Sequence, residues 1–291
     1  MSARMSARQG FTLVELMISM ILTVIVGAAL IRLTLGQVRF MDQQEAVREA
    51  RSVSRSGINR LLSDLRAVET SLGVQAAVAG GQDLTLRVPY AFGIICSSLG
   101  TTTTVSLLPV DADIYNETGF SGFAWRNAAG GYTNITGVTI GGSIAANCQN
   151  AGQDSIRTLP ALNGSPAGQI ITLLGVALNP LPPRGSIMYL YRLIRYEFKN
   201  SVALPGRVGL FRTRVSVGTS EELTAPFDAT ARVNFYVGTN ATAQAAVPGT
   251  LSDIRGLELV LNGLSERSPA GTLAPKSSTL TTSVFFENRP D

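Results

Sequence analysis

The longest apolar run in the chain covers residues 11–31, where Glu15 is the one charged side chain. In a helix, a run of this length rises ~30 Å, about the thickness of the hydrocarbon core of a bilayer. Two basic residues, Arg4 and Arg8, precede the run. Basic residues favour the cytoplasmic side of a membrane. The pattern therefore predicts a membrane-spanning helix over residues 11–35, with its N-terminus in the cytoplasm.

Helical periodicity continues beyond the apolar run. An apolar stripe recurs at spacings of three and four residues: Ile58, Leu61, Leu62, Leu65, Val68 and Leu72. Such a stripe is typical of a helix that packs one face on a domain. We expect an amphipathic extension of the same helix over residues 36–73, ending near Leu72, with Gly57 as its weakest point.

From Gln82 onward the apolar positions alternate or form short runs rich in Val, Ile, Thr, Tyr and Phe, which predicts strands. The expected strands are 84–90, 104–110, 169–177, 187–199, 207–217, 231–237, 254–261 and 279–287. Residues 112–168 are rich in Gly, Asn, Ala and Thr with little periodicity, so we expect a loop-rich insertion there. A long helix followed by strands predicts an α+β fold, with a mainly antiparallel globular domain over residues 74–291.

Composition narrows the function. The chain has 291 residues, of which 15% are charged, and it has no His. The usual general base and the commonest metal ligand are therefore missing. Oxygen ligands cluster around Asp111, but the spacing of a calcium-binding loop is absent, so a solvated acidic loop is expected. We predict no catalytic site, no metal and no cofactor, and hence a protein that is not an enzyme.

The charge gives little attraction for nucleic acid. The formal net charge is +4, which includes Arg4 and Arg8, and the basic residues are scattered. No nucleic-acid partner is predicted from this balance. A weaker alternative is a basic face on the strands, formed by Arg192, Arg195, Arg212 and Arg214.

Residues 1–10 are short, polar and basic, and they end in Gly10. An ordinary secretory signal has its cleavage site after the apolar core, whereas Gly10 precedes it. A cut after Gly10 would remove a leader peptide, keep the helix and free the amine of Phe11. A carboxylate inside a membrane helix costs a few kcal/mol unless it is paired, which marks Glu15 as functional. The Phe11 amine of the same or a neighbouring chain is its natural partner.

Residues 8–16, Arg-Gln-Gly-Phe-Thr-Leu-Val-Glu-Leu, resemble the class III signal of type IV prepilins and pseudopilins. The resemblance implies that prepilin peptidase cuts between Gly10 and Phe11, that Phe11 is N-methylated, and that Glu15 guides docking between subunits. It implies a single-pass protein of the bacterial inner membrane, with the domain in the periplasm, that later enters a pilus or pseudopilus. The implied partners are other minor and major pilins or pseudopilins, the inner-membrane assembly platform and the lipid bilayer.

The second half of the chain is similar to PilW-type minor pilins, and next to the J-type minor pseudopilin of type II secretion. The resemblance is carried by the strand at 187–199, by Gly-Leu-Phe-Arg-Thr-Arg at 209–214, by the segment 254–268 and by the C-terminal strand. It implies a minor pilin that helps to initiate assembly or to form the filament tip. The alternatives are the J-type pseudopilin, or a filament-displayed adhesin or DNA-uptake module that binds through residues 112–168. The lack of Pro between residues 11 and 72 favours a minor or secretion-type subunit.

Cys96 and Cys148 are the two cysteines of the chain. They are too few for a thiolate zinc site, and in an exported chain a disulfide is expected. Two separate buried thiols are the alternative.

Overall fold

The computed structural model describes residues 12–69, 73–111, 114–115, 119–144 and 168–286. Helix α1, Leu13–Leu65, comes first, and thirteen strands follow it in these residues. The strands are β1 Val74–Ala77, β2 Asp83–Leu99, β3 Thr102–Leu107, β4 Phe120–Arg126, β5 Tyr132–Thr136, β6 Thr139–Ile144, β7 Ile170–Leu174, β8 Ile187–Asn200, β9 Val208–Arg214, β10 Ser220–Phe227, β11 Arg232–Val237, β12 Ile254–Leu264 and β13 Ser277–Phe285.

The predicted α+β architecture is confirmed. The strands form one antiparallel sheet in the order β11-β12-β10-β9-β8-β2-β3-β7-β6. The other four strands attach to members of this series: β1 to β2, β13 to β12, β4 to β8, and β5 to β4. All eight predicted strands are present, and those at 187–199 and 254–261 differ little from β8 and β12 in their bounds.

The long strands β2 and β8 pair along most of their length and connect two hydrophobic cores. The buried residues of β2 change from even to odd numbers, from Leu86 and Val88 to Ala91 and Ile95. A register shift between Pro89 and Ala91 accounts for the change. The extra residue of a β-bulge keeps the buried side chains on the same face of the sheet before and after it. The buried face of the sheet is thus continuous from one core to the other.

The first core, here called the helix core, joins the second half of α1 to strands β1, β2 and β8–β12. Gly57, the predicted weak point of α1, is buried here. A side chain at this position would not fit. A Cβ at this position would lie 2.9 Å from Leu261 Cδ1 and 2.9 Å from Phe227 Cζ. The glycine therefore allows the close approach of helix and sheet, and α1 continues through it.

Helix α1 ends at Leu65 rather than near Leu72, so the expected extension over residues 36–73 is shorter than predicted. The N–H groups of Ala67 and Val68 donate to carbonyls three residues earlier, at 3.1 and 3.2 Å. This tighter turn is common at the C-terminal end of a helix. It directs Val68 into the helix core, while Leu72 lies outside the described residues.

The prediction of a loop-rich insertion at 112–168 is wrong for residues 119–144, which contain strands β4, β5 and β6. Strand β4 pairs directly with β8, and it places Phe123 and Trp125 in the second core, both at most 2% exposed. Gly122, one of the glycines that suggested a loop, leaves room for the Tyr191 hydroxyl, which donates to Ile135 O at 2.9 Å. Residues 112–113, 116–118 and 145–167 of this range lie outside the described part of the chain.

Candidate functional site on the N-terminal helix

Helix α1 begins with a local cap. Thr12 has an extended backbone (φ −76°, ψ 148°), and its hydroxyl accepts the N–H of Glu15 at 3.3 Å. A threonine in this position satisfies one of the four free N–H groups at a helix start. The motif residues therefore define where α1 begins, just after the predicted cut.

Glu15 lies in the first turn of α1, with its side chain exposed. The positive end of the helix dipole is here, so an anion is favoured. No ion pair within the described stretches includes Glu15. The other two predicted site residues of the motif, Gly10 and Phe11, lie outside the described residues, so the pairing of Glu15 with the Phe11 amine stays a prediction.

The hydroxyl groups within the apolar segment are satisfied by the helix itself. Ser19 donates to Leu16 O at 2.9 Å, Thr23 to Ser19 O at 2.7 Å, and Thr34 to Leu30 O at 2.9 Å. A polar group without a partner is costly in an apolar medium. These side chains can therefore enter lipid, or an apolar helix bundle, without an exposed donor.

The first 33 residues of α1 include no buried residue, since the first buried helix residue is Ala46, and Asp42 accepts the N–H of Ala270 at 3.4 Å near the end of this segment. At the α-helical rise this segment extends ~50 Å. It contains an 18-residue window of mean hydropathy 2.4, of which no part is buried. Its large apolar side chains are more than half exposed from Leu13 to Met41. A surface of this size requires either lipid or other helices around it.

The other half of α1 is fastened to the domain by a buried hydroxyl that the sequence reading did not single out. Ser54 is fully buried, and its Oγ accepts the N–H of Gly263 at 2.9 Å. The same hydroxyl donates to Ser278 O at 3.0 Å, with Leu261 O at 3.3 Å. One serine thus connects the helix to the backbones of β12 and β13. Only glycine fits at position 263, because a Cβ there would lie 2.6 Å from Ser54 Oγ.

A second fastening lies in the last turn of α1. The carboxylate of Asp64 accepts hydrogen bonds from Tyr196 Oη at 2.6 Å and from Arg212 Nε and Nη2, both at 2.9 Å. Burial, and then the charge of Asp64, raises the pKa of Tyr196, so the phenol stays protonated and remains a donor. The two fastenings fix the direction in which α1 leaves the domain.

The other residues that the sequence suggested as functional have structural roles or lie outside the described residues. Cys96 is buried on β2, and the described part of the chain holds no free cysteine. Cys148 lies outside the described residues, so the pairing of these two cysteines stays a prediction.

Asp111 does not lie in a solvated loop, as the sequence suggested. It is buried, and its Oδ2 accepts the N–H of Phe92 at 2.8 Å. The carboxylate holds the turn after β3 against β2, and this bond explains its burial. Among the described residues there is no group of three or more metal-binding side chains.

Three of the four arginines considered as a basic face have partners within the fold. Arg195 bonds the carboxylates of Asp83 and Glu197, and Arg212 bonds Asp64. Arg192 lies over the ring of Tyr90, at 4.0 Å from its centroid. The carboxylate partners of Arg195 and Arg212 neutralise charge locally, so the arrangement gives no support to a nucleic-acid surface.

Residues 5–31 match the family model of the prokaryotic N-terminal methylation motif. This match covers residues 5–10 of the predicted leader, the predicted cut and rather more than half of the exposed helix segment. The motif indicates a type IV pilin-like or pseudopilin-like protein, a structural subunit anchored by its N-terminal helix. No curated protein and no solved structure matches the chain.

Proposed function

We propose that the chain is a minor pilin of a type IV pilus, which helps to initiate assembly or to form the filament tip. The observation that carries the proposal is a methylation motif at the head of a helix whose first 33 residues include no buried residue, while the rest is fixed to a β-sheet domain.

The chemistry of assembly begins with the cut. Prepilin peptidase cleaves after Gly10, and the free amine of Phe11 is then N-methylated and carries a positive charge. In one helix this amine lies one turn from Glu15, and between chains it reaches the Glu15 of a neighbour. Pairing removes two charges from apolar surroundings and sets the axial offset between subunits.

Before assembly the exposed segment of α1 spans the inner membrane, with the domain in the periplasm. Extraction into the filament replaces lipid around this segment with the helices of neighbouring subunits. The internally bonded hydroxyls of Ser19, Thr23 and Thr34 suit both surroundings. The two fastenings, Ser54 and Asp64, transmit the position of the helix to the domain.

The minor-pilin assignment is supported by the similarity of the second half to PilW-type subunits and by an α1 that runs unbroken from Leu13 to Leu65. The J-type pseudopilin of type II secretion shares both features. The filament that carries the subunit separates them: a surface pilus supports the proposal, and a secretion pseudopilus supports the alternative.

A display role for residues 112–168 as a separable binding module is not favoured. Strand β4 places Trp125 in the second core and pairs with β8, so removal of the segment would open that core. A disulfide between Cys96 and Cys148 would tie this part of the chain to β2, and we include it in the proposal.

Glu15→Ala tests the docking step. The variant should be cut and methylated like the wild type, because the sequence around Gly10 is intact, but its incorporation into filaments should fall at least tenfold. A tenfold loss corresponds to ~1.4 kcal/mol, less than the cost of an unpaired amine in apolar surroundings. The matched control is Glu45→Ala, which removes an exposed carboxylate from the same helix outside the apolar segment. Equal incorporation of the two variants would refute the docking role.

A further inference from the structure

We propose that the outer edge of β13 is an assembly surface, which receives an extended strand from a neighbouring pilin-like subunit. The inference rests on the proposed function, since it needs a filament in which α1 packs beside other subunits. It adds to the helix a second contact between subunits, made by the backbone of the domain.

The orientation of β13 follows from its pairing with β12. The N–H of Phe286 donates to Arg255 O, and the N–H of Ser265 donates to Lys276 O. Backbone groups alternate in direction along a strand, so the even-numbered residues of β13 face β12 and the odd-numbered residues face outward. The outward residues are Thr279, Thr281, Ser283 and Phe285. Within the described residues, no hydrogen bond involves their backbone groups.

This edge lacks the features by which proteins usually protect an edge strand. Its nine residues, Ser-Ser-Thr-Leu-Thr-Thr-Ser-Val-Phe, contain no charge, no Pro and no Gly, and their register with β12 has no bulge. Such a strand is a ready template for pairing with another chain. The hydroxyl-bearing side chains keep it soluble without blocking the backbone.

A different edge of the same sheet is closed by the chain itself. On β11, the N–H of Val233 donates to Gly81 O at 2.8 Å. Phe235 exchanges two hydrogen bonds with Gln244, at 2.8 and 2.9 Å. Within the described residues, β13 therefore differs from β11, whose outer edge is covered by two separate segments.

The position of β13 beside α1 points to a neighbouring subunit as the occupant. Ser54 bonds the start of the strand at Ser278, and the end of the strand lies by Leu62 and Leu65. Strand and helix therefore run side by side in the same direction. A cleft of about 380 Å³ lies between them, lined also by Arg66 and by residues 282–285 of β13. We take the occupant to be the domain of a subunit whose helix packs beside α1, because β13 runs along the same helix.

The chemistry of the edge specifies the kind of segment that it takes. An extended segment would exchange backbone hydrogen bonds with every second residue, from Thr279 to Phe285. Its side chains on one face would enter the cleft, where polar groups of β13 and the apolar side chains of Leu62 and Leu65 are available. Because the strand itself carries no charge, recognition depends on backbone pairing and shape.

Site-specific crosslinking in cells that make filaments tests the proposal. The photo-crosslinking residue p-benzoylphenylalanine replaces Phe285, which is 50% exposed, in the full-length chain. Thr281→Pro then deletes one outward N–H without touching the ladder to β12, and Thr281→Ala is its matched control. The same crosslinker in place of Leu99, which is 81% exposed on the β2–β3 turn, controls for random contact.

We expect the Phe285 position to crosslink to a strand segment of another pilin-like subunit, identified by mass spectrometry of the joined peptides. Thr281→Pro should reduce this crosslink at least tenfold, and Thr281→Ala should not. Since the deleted N–H faces outward, both variants should melt within about 2 °C of each other. If the proline variant unfolds, Thr281→Lys provides the same readout with the backbone intact, because a charge blocks an edge strand.

Two results would overturn the proposal: crosslinks from the Phe285 position only to the same chain or to lipid, or equal crosslinking in Thr281→Pro and Thr281→Ala. Either result, in a wild type that is cut, methylated and present in filaments, leaves the proposed function in place. A wild type that is never cut or incorporated removes the proposed function first.

Discussion

Replacement of Ser54 by Ala tests how helix α1 is attached to the β-sheet domain. The hydroxyl is fully buried and is the partner of the Gly263 N–H and of Ser278 O. Loss of a buried partner costs ~1–3 kcal/mol for each group that is left unpaired. Because the helix lies too close to Gly263 to admit water, we expect Ser54→Ala to lower the free energy of unfolding by ~2–3 kcal/mol. In a domain of this size the melting temperature should then fall by roughly 5–10 °C.

The assay is urea unfolding of the full-length protein in a mild detergent, followed by circular dichroism of the sheet. The control is Ser63→Ala, on the same helix but exposed, where the hydroxyl bonds only Arg60 O. That change should cost less than ~0.5 kcal/mol. If Ser54→Ala is no less stable than Ser63→Ala, the buried hydroxyl does not hold the helix and the reasoning is wrong.

Three further predictions concern the same domain. Asp64→Asn should lower the free energy of unfolding by ~1–2 kcal/mol in a urea titration, because Arg212 loses its carboxylate partner at a half-buried site. Gly57→Val should cost ~1–3 kcal/mol in the same titration, whereas the open Gly27 accepts Ala without a clash. Burial opposes ionisation of Glu222, but hydrogen bonds from Ser201 and two backbone N–H groups outweigh it and lower its pKa below 4.5. A lowered pKa gives stability that is present above 4.5 and lost as the pH falls through the folded value, so Glu222→Gln should flatten the acid limb of the stability curve.

The parts of the fold with strong periodicity were predictable from the sequence. The apolar run fixed the start of α1 to within a few residues, and β8 and β12 follow their alternating or apolar patterns closely. These elements bury one face each, so their patterns record the fold directly. The exposed helix segment was predictable for a different reason, because an apolar run of this length with one charge is rare in a soluble domain, whereas the docking role of Glu15 stays a prediction.

Other elements were missed because tertiary contacts override local composition. Strand β10 contains two Glu and a Pro, which are poor strand formers, but Glu222 is needed there to bind the turn after β8. Strand β4 contains Gly122, whose small size serves the Tyr191 hydroxyl rather than a loop. Long-range packing of this kind leaves no local signal in a single sequence.

The polar contacts that attach α1 to the domain could not be predicted from the sequence either. Ser54 and Asp64 lie among many polar helix residues, and only the folded structure shows their partners more than 130 residues away. Gly57 was noted as a weak point of the helix, which is the local view of a residue whose role is to let the sheet approach.

Mass spectrometry of the N-terminus of the membrane-extracted protein tests the central claim most directly. The account predicts a chain that starts at Phe11, with a methyl group on its amine and the first ten residues removed. A mature chain that still carries these ten residues, or one trimmed beyond the apolar helix and released from the membrane, would contradict it.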